Sequence, residues 1–278
     1  MNLDAYLNRI GYTGPRTATL ETLRALSALH PAAIAFENFD SFLGGVPRLD
    51  AASLQDKLVA RRRGGYCYEQ NALLRDVLQA LGAQVTALAA RVVWMAPPQQ
   101  PVRPASHMLL LVRLDGDAAE YIVDVGFGGH LFGVPLVFEP GLEQPGPMSL
   151  LRIVEAEGAY TVETRLPAGW APIYRFTLTP MLPVDYEPLN WFTATHPASM
   201  FRHNLLLERL LPTVRSSLFN DRLIVRRPGV PPEIRRLADA ADFERLLGET
   251  FGLTPPVPAA QLYERLPKGL DGLHLPAA

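Results

Sequence analysis

Three side chains in this sequence can combine into nucleophilic chemistry: a cysteine, a histidine opening one apolar strand and an aspartate closing another. The cysteine is Cys67, the only one in 278 residues, inside Arg63-Gly64-Gly65-Tyr66-Cys67-Tyr68-Glu69-Gln70-Asn71. Glycines lead into it and a helical pattern follows, which puts the thiol at a helix N-terminus. Unsatisfied N–H groups and the positive end of the macrodipole favour thiolate over thiol there. A lone cysteine serves equally well as a small buried hydrophobe. A base and an orienting carboxylate decide between the two.

The stretch His107 to Val125 supplies candidates for both. Asp115-Gly116 between apolar runs signals a two-residue type I′ turn. With that turn, Leu114 faces Asp117, and stepping outward sets His107 directly opposite Asp124. Cross-strand pairs hold their Cβ atoms roughly 4.5–5.5 Å apart on one face, so the carboxylate can bond the imidazole and fix its tautomer. A one-residue change of register would put them on opposite faces. Each residue also has a plainer role: His107 as a strand-start histidine satisfied by backbone, Asp124 as a cap of the next turn. The other histidines are poorer bases. His30 and His196 precede prolines and read as helix ends or turns, while His130, His203 and His274 have no evident carboxylate partner.

Other chemistries find no footing. Cys-x-x-Cys, His-Glu-x-x-His and Gly-x-x-x-x-Gly-Lys-Ser/Thr are all missing, so zinc and nucleotide-phosphate motifs are not supported. Gly126-Phe127-Gly128-Gly129 follows a strand but opens no apolar-periodic helix, so it reads as a tight bend or a close approach to a ligand.

The elements that must position these residues follow from periodicity. Residues 1–83 read as helical: Leu3, Tyr6, Leu7 and Ile10 share a face, a second helix starts near Thr19 and stops at Pro31, and a third spans Asp50 to Ala60. Arg61-Arg62-Arg63 then adds positive charge where the dipole favours it. Ile34 to Asp40 is too polar at its centre for a core helix. After Cys67, Leu73, Leu74, Val77, Leu78 and Leu81 form an apolar stripe ended by Gly82. Strand-like runs follow at Val85 to Trp94, His107 to Leu114, Ala118 to Val125, Leu150 to Glu155 and Tyr160 to Leu166, which suggests a sheet or small barrel. A proline-rich loop spans Pro97 to Pro104. Further on come a short helix at Glu187 to Thr195, strands at Asn204 to Leu210, Val214 to Phe219 and Leu223 to Arg227, and a helix at Asp239 to Phe251. The tail after Leu266 reads as extended.

Composition bounds the setting. Hydrophobic content of 48% and charged content of 19% are those of a globular chain long enough for two or three packed domains. A net charge of −2 gives no reason to expect nucleic acid or an anionic membrane as partner. A single cysteine fits a reducing, cytoplasmic setting. The N-terminus lacks a basic region followed by an apolar run, so no signal peptide is expected, and no apolar run reaches membrane-spanning length.

With those residues in place, the sequence resembles the arylamine N-acetyltransferase family. Arg63 to Asn71 is similar to its active-site signature, Tyr6-Leu7-Asn8-Arg9-Ile10-Gly11-Tyr12 to its opening, and Phe36-Glu37-Asn38 to an early block. Ser106-His107-Met108-Leu109-Leu110 and Val123 to Gly128 resemble its histidine and aspartate segments, and Trp191 to Phe201 a later one. Order and spacing agree over roughly residues 1–205. Ala35 stands where proline is usual and Phe39 where leucine is usual.

The resemblance implies an α+β, three-domain cysteine-acyltransferase fold: an N-terminal helical bundle (1–83), a central β-barrel (84–190) and a C-terminal α/β lid (191–278). It implies a triad of Cys67, His107 and Asp124, an aromatic substrate pocket at Phe36, Val92, Phe127 and Phe201, and coenzyme A contacts at Ser106 and Gly128. The implied reaction moves an acetyl group from acetyl-CoA, a co-substrate rather than a resident cofactor, to arylamines, arylhydrazines or hydrazides, and to the oxygen of arylhydroxylamines. No metal is implied, and the sequence assigns no oligomeric state. Alternatives are an amide synthase or other acyltransferase of the same fold with a different donor or amine, a thiol hydrolase with the same triad, and a non-catalytic binder of aromatic molecules or CoA.

Overall fold

The protein is described from a computed structural model over residues 1–96 and 102–269. Residues 97–101 of the proline-rich loop, and the tail from residue 270, which includes His274, lie outside the described residues.

Side-chain caps and amphipathic spacing start the first two helices. Asn2 caps α1 (Leu3–Ile10) by accepting from the Ala5 N–H, and Thr19 caps α2 (Leu20–Ala33) through the Thr22 N–H. Pro31 does not stop α2: the helix runs two residues further, closed by the Ile34 N–H on the His30 carbonyl at 2.7 Å. A proline in the last turn costs one bond near an end that already frays, and the buried face of α2 offsets it. His30 is correspondingly inside the helix and buried, not at its end.

The polar stretch after α2 is buried too. It forms a short strand β1 (Phe36–Glu37) and a single turn α3 (Phe39–Phe42). The expected regular helix from Asp50 to Ala60 is α4 (Ala51–Leu54) widening into a π-helical segment, Gln55–Ala60, closed by the Arg61 N–H on the Asp56 carbonyl at 2.8 Å. The wider turn lets consecutive Lys57, Leu58 and Val59 all face inward. Helix α5 (Cys67–Ala80) follows, with Leu73, Leu74, Val77 and Leu78 buried as their spacing predicts.

Eight strands then form one antiparallel sheet: β2 (Gln84–Val92), β3 (His107–Arg113), β4 (Glu120–Val123), β5 (Leu136–Val137), β6 (Gln144–Pro145), β7 (Leu150–Ala156), β8 (Ala159–Leu166) and β9 (Gly169–Phe176). Their order is β5-β4-β3-β2-β9-β8-β7-β6. Gln144 links the two edges: its Oε1 accepts the Val137 N–H at 2.7 Å and its Nε2 donates to the Val137 carbonyl at 2.9 Å. The side-chain amide stands in for a strand residue, and the sheet is a nearly closed barrel, as the strand spacing predicts. β9 escaped the periodicity because Trp170-Ala171-Pro172 interrupts it; the ladder to β8 shifts there, Glu163 facing Pro172 and Val162 facing Tyr174. Proline within a sheet is tolerated at such irregularities.

Strand β3 is apolar on both faces and divides two cores. Met108, Leu110 and Val112 pack with the helices, whereas Leu109 and Leu111 point into the barrel. His107 shares the parity of Leu109 and enters the barrel from its rim.

The C-terminal part holds α6 (Tyr186–Thr195), α7 (Met200–His203), β10 (Leu206–Leu211), β11 (Val214–Phe219), β12 (Arg222–Arg227), β13 (Val230–Arg236), α8 (Ala240–Glu249) and α9 (Ala259–Arg265). Its sheet runs β1-β10-β11-β12-β13, so β1, from the helical part, forms one edge. β13 is the opposite edge and carries Pro231-Pro232, which hid it from a reading by alternation. A third core, around Phe243, Leu247 and Phe251, packs α8 and α9 on this sheet. The architecture is thus α+β: helices, barrel and a C-terminal α/β layer.

Candidate active site

Cys67 is the first residue of α5, where the backbone N–H groups have no carbonyl one turn earlier to bond. Local sequence explains the placement. Gly64 crosses the chain entering β1 so closely that a Cβ on it would lie 2.1 Å from the Ala35 carbonyl oxygen. The Glu37 N–H bonds the Gly65 carbonyl at 3.1 Å, and Glu69 accepts the Tyr66 N–H at 3.1 Å. Gln70 locks the first turn from the other side, donating to the carbonyls of Ala35 (2.9 Å) and Gly65 (3.1 Å) and accepting from His30 Nε2 at 2.6 Å. His30 Nδ1 then accepts from the Tyr6 hydroxyl at 2.8 Å, which defines a neutral imidazole; burial pushes its pKa down to about 4.

A buried ion cluster supports the same loop. Lys57 bonds Asp40 (2.6 Å) and Glu69 (2.7 Å), and Arg63 bonds Glu37 (2.7 Å) and Asp40 (2.8 Å). Arg63 therefore serves this cluster rather than the dipole of the preceding helix, while Arg61 pairs with Asp56. Three carboxylates face two cations. Burial, joined by repulsion from Glu37 and Asp40, outweighs the pull of Lys57 and raises Glu69 to about 7. Lys57 moves up: burial opposes its charge, but Glu69, Glu37 and Asp40 prevail.

His107 Nε2 and Asp124 Oδ2 are 2.7 Å apart, both groups buried. The hairpin reaches this by a different register from the one the sequence suggested. Leu110 pairs with Val123 and Val112 with Tyr121, two residues beyond the register of a two-residue turn. Asp115-Gly116 is not a type I′ turn, because only Gly116 has positive φ (79°), whereas that turn needs both central residues there. Asp117 extends the loop by accepting the Ala119 N–H (3.0 Å) and the Tyr121 hydroxyl (2.7 Å). An even shift keeps the two residues on one face, so Asp124 meets His107 diagonally instead of directly opposite.

Asp124 is tied down by residues that the sequence reading did not nominate. Its Oδ1 accepts Asn71 Nδ2 and the Gly126 N–H, each at 2.9 Å. Asn71 also donates to the Met108 carbonyl at 2.7 Å and accepts the Val125 N–H at 3.1 Å, so one side chain on α5 joins both strands of the hairpin. Asn71 lies four residues after Cys67, one helical turn along the same face, and that spacing was its available signal. Tyr174 completes the surroundings, its ring 4.9 Å from His107 and its buried hydroxyl under the influence of Asp124.

The electrostatics follow. Burial disfavours the imidazolium, but Asp124 and then Cys67 outweigh it and push His107 up to about 10. Burial would raise Asp124, yet His107, Asn71 and the Gly126 N–H hold it below the usual carboxylate range. With Nε2 on Asp124, Nδ1 is the nitrogen left for the thiol. Cys67 Sγ stands 3.8 Å from the Ser106 carbonyl, just before His107.

The remaining nominated positions belong to two cores. Phe127 is edge-on to His107 at 5.1 Å and belongs to the barrel core, where Val92, paired with Tyr174, is half-buried. Phe36 and Phe201, 6.2 Å apart, pack with the helical core that contains Cys67. Asn38 fixes α7, and with it Phe201, by donating to the carbonyls of Phe201 (3.0 Å) and Asn204 (2.9 Å) and accepting the Leu206 N–H (2.7 Å). Tyr66, whose hydroxyl donates to Asn190, packs against Phe201 at 5.9 Å. Ser106 presents its carbonyl to Cys67, and Gly128 lies over the Phe36 ring. Of the histidines set aside earlier, His130 accepts from Arg215 at 2.9 Å and His203 bonds the Pro197 carbonyl.

The family model described as N-acetyltransferase matches residues 19–258. A Mycobacterium tuberculosis protein named arylamine N-acetyltransferase is 39% identical over 254 residues, 91% of this chain and 89% of that protein. A Salmonella typhimurium relative, named arylamine N-acetyltransferase / N-hydroxyarylamine O-acetyltransferase, is 34% identical over 90% of this chain and 88% of its own. The solved structure of Mycobacterium marinum arylamine N-acetyltransferase in complex with CoA superposes with a TM-score of 0.91 at 37% identity, covering 95% of this chain and 98% of that one. The chain belongs to the arylamine N-acetyltransferase family, and it is an acyltransferase.

Proposed function

We propose that this protein transfers an acetyl group from acetyl-CoA to an aromatic amine, hydrazine or hydroxylamine through an acetyl-Cys67 intermediate. The observation that carries this reading is the buried His107–Asp124 pair, with the Phe127 ring edge-on to His107, beside Cys67 at the start of α5. In the first half-reaction the Cys67 sulfur, deprotonated by His107, attacks the thioester carbonyl. Negative charge develops on the carbonyl oxygen, and backbone N–H groups at the start of α5, that of Tyr68 among them, stabilise it in this reading. The bond to the CoA sulfur breaks, CoA takes the proton from the imidazolium, and Cys67 is left acetylated.

The amine then attacks the acetyl carbonyl while His107 accepts its proton. Collapse of the adduct expels the Cys67 sulfur and releases the amide. Asp124 holds the ring throughout and, fixed by Asn71, does not itself move a proton. The aromatic side chains beside His107, Phe127 and Tyr174, suit a site that must take donor and acceptor in turn. Residues 1–83, 84–190 and 191–278 are read as helical, barrel and lid units, with Ser106 and Gly128 on the CoA side of the cleft. Among the described residues no helix is long and apolar enough to cross a membrane.

Intact-protein mass spectrometry tests the proposal. Mixing with acetyl-CoA should add one acetyl group, mapped to Cys67, which an arylamine discharges as its acetamide. Cys67→Ala should show neither; turnover retained in that variant would remove the triad from the mechanism, and discharge by water alone would make the enzyme a hydrolase.

A further inference from the structure

The loop that follows Asp124 is pressed from three sides. At Gly126 a Cβ would stand 2.8 Å from Cys67 Cα, and at Gly128 one would stand 2.5 Å from the Phe36 ring. The third side is the C-terminal sheet. Glu208 of β10, fully buried, accepts the Gly129 N–H on Oε2 at 3.0 Å and the Leu131 N–H on Oε1 at 2.9 Å, while the Ser217 hydroxyl donates to Oε2 at 2.8 Å. From β11, buried Arg215 donates to His130 Nδ1 at 2.9 Å. Three consecutive loop residues, 129 to 131, are thus each bonded to a charged side chain from that sheet. A buried carboxylate is costly unless its oxygens are filled, and here both are filled, largely by loop N–H groups. The near end of the same loop carries Phe127, whose ring covers His107 at 5.1 Å and Tyr174 at 5.5 Å.

We propose that Glu208 is a positioning residue for acceptor choice. It braces the glycine loop from the C-terminal sheet, so that Phe127 stays edge-on to His107 as the aromatic wall of the cleft. Arg215, through His130, supports the loop between the two N–H groups that Glu208 holds. The brace rests on the acetyl-transfer reading for its effect on acceptor choice but not for its geometry. An aromatic amine needs the wall; a small nucleophile such as hydrazine reaches acetyl-Cys67 without it.

The test compares wild type, Glu208→Gln and Glu208→Ala after acetylation by acetyl-CoA. Discharge rate constants are measured with 4-methoxyaniline and with hydrazine. The ratio of aniline to hydrazine discharge should fall about tenfold in Glu208→Ala, the scale of a modest misplacement at a reacting centre, with a smaller fall in Glu208→Gln, which keeps one acceptor oxygen. A ratio unchanged in both variants, or a proportional loss with both acceptors, would overturn the proposal. Amide hydrogen exchange supplies a second measurement that needs no substrate and no alanine variant. In Glu208→Gln the Gly129 and Leu131 protons should exchange about tenfold faster while the β10 amides keep their protection. Unchanged exchange at those two sites would equally overturn the brace. A wild type that forms no acetyl-enzyme would instead count against the functional reading, and the exchange result would still decide the brace.

Discussion

At the scale of single residues, the site is organised around a histidine kept charged by its neighbours. Against burial, Asp124 and then Cys67 push the pKa of His107 up to about 10, which favours the imidazolium while Cys67 is unacetylated. A raised folded-state value means that the stability from this pairing is fully present below the ordinary histidine pKa and is lost as pH rises through about 10. NMR titration of the His107 ring should therefore show its proton leaving near pH 10 in wild type. In Asp124→Asn burial is left to dominate, and the transition should fall below the ordinary value. A ring still titrating near 10 in that variant would show that Asp124 is not the cause. Asn71 acts on the other side of the carboxylate, joining Asp124 to α5 and to both strands. Asn71→Ala should cost about 1–3 kcal/mol in chemical denaturation, the penalty for leaving buried partners unsatisfied, and should slow Cys67 acetylation as Asp124 loses its anchor. Cys67, His107 and Asp124 were legible because their chemistry depends on residue type and spacing. Asn71 was not, because an asparagine in a helix announces no partner until the strands beside it are in place.

At the scale of elements, the approach to Cys67 is set by a close crossing rather than by a bend. Gly64 is not among the glycines with positive φ, so its requirement is space: a Cβ would sit 2.1 Å from a backbone oxygen. Gly64→Ala must push the loop off Ala35 and β1, and a loss of about 2–4 kcal/mol is expected from urea denaturation, at the severe end of single substitutions. An unchanged midpoint would mean that the crossing relaxes freely. The hairpin carrying His107 and Asp124 teaches a related lesson about register. Asp-Gly correctly marked the reversal, but the Asp117 carboxylate captured the Ala119 N–H and lengthened the loop. The pairing survived because the displacement was even and an imidazole spans a diagonal.

At the scale of the whole molecule, the triad stands where the helical core and the barrel core meet, with the C-terminal layer closing the third side. The Glu37–Asp40–Lys57–Arg63–Glu69 cluster ties β1, the π-helical segment and the Cys67 loop together on the helical side of that junction. Lys57→Met leaves buried Glu69 without its bonded cation, while Glu37 and Asp40 keep Arg63, and should destabilise by about 3–5 kcal/mol in denaturant titration. Glu69, raised from 4.5 to about 7, has the pH sign opposite to that of an ordinary paired carboxylate. Its contribution is fully present below pH 4.5 and is lost as pH rises through about 7. Wild type should accordingly lose up to about 3 kcal/mol more than Glu69→Gln between pH 5 and pH 8, the free energy equivalent of the shift. Parallel stability curves for the two proteins would show that Glu69 is ionised throughout.

By itself the sequence singled out Cys67, His107 and Asp124, the proposed nucleophile, base and carboxylate, together with the change from helical to strand periodicity and most of the buried faces. These follow from residue chemistry and from patterns no longer than one element. The tertiary structure alone decided what lies between elements. It set β1 on the edge of a distant sheet, recruited Asn71 and Tyr174 to the triad, filled the oxygens of Glu208 with loop N–H groups, and admitted the proline-bearing strands β9 and β13. A hydrogen bond between residues more than fifty positions apart leaves no local period to read; it forms because a buried polar group must find a partner, and only the packed chain says which one is near.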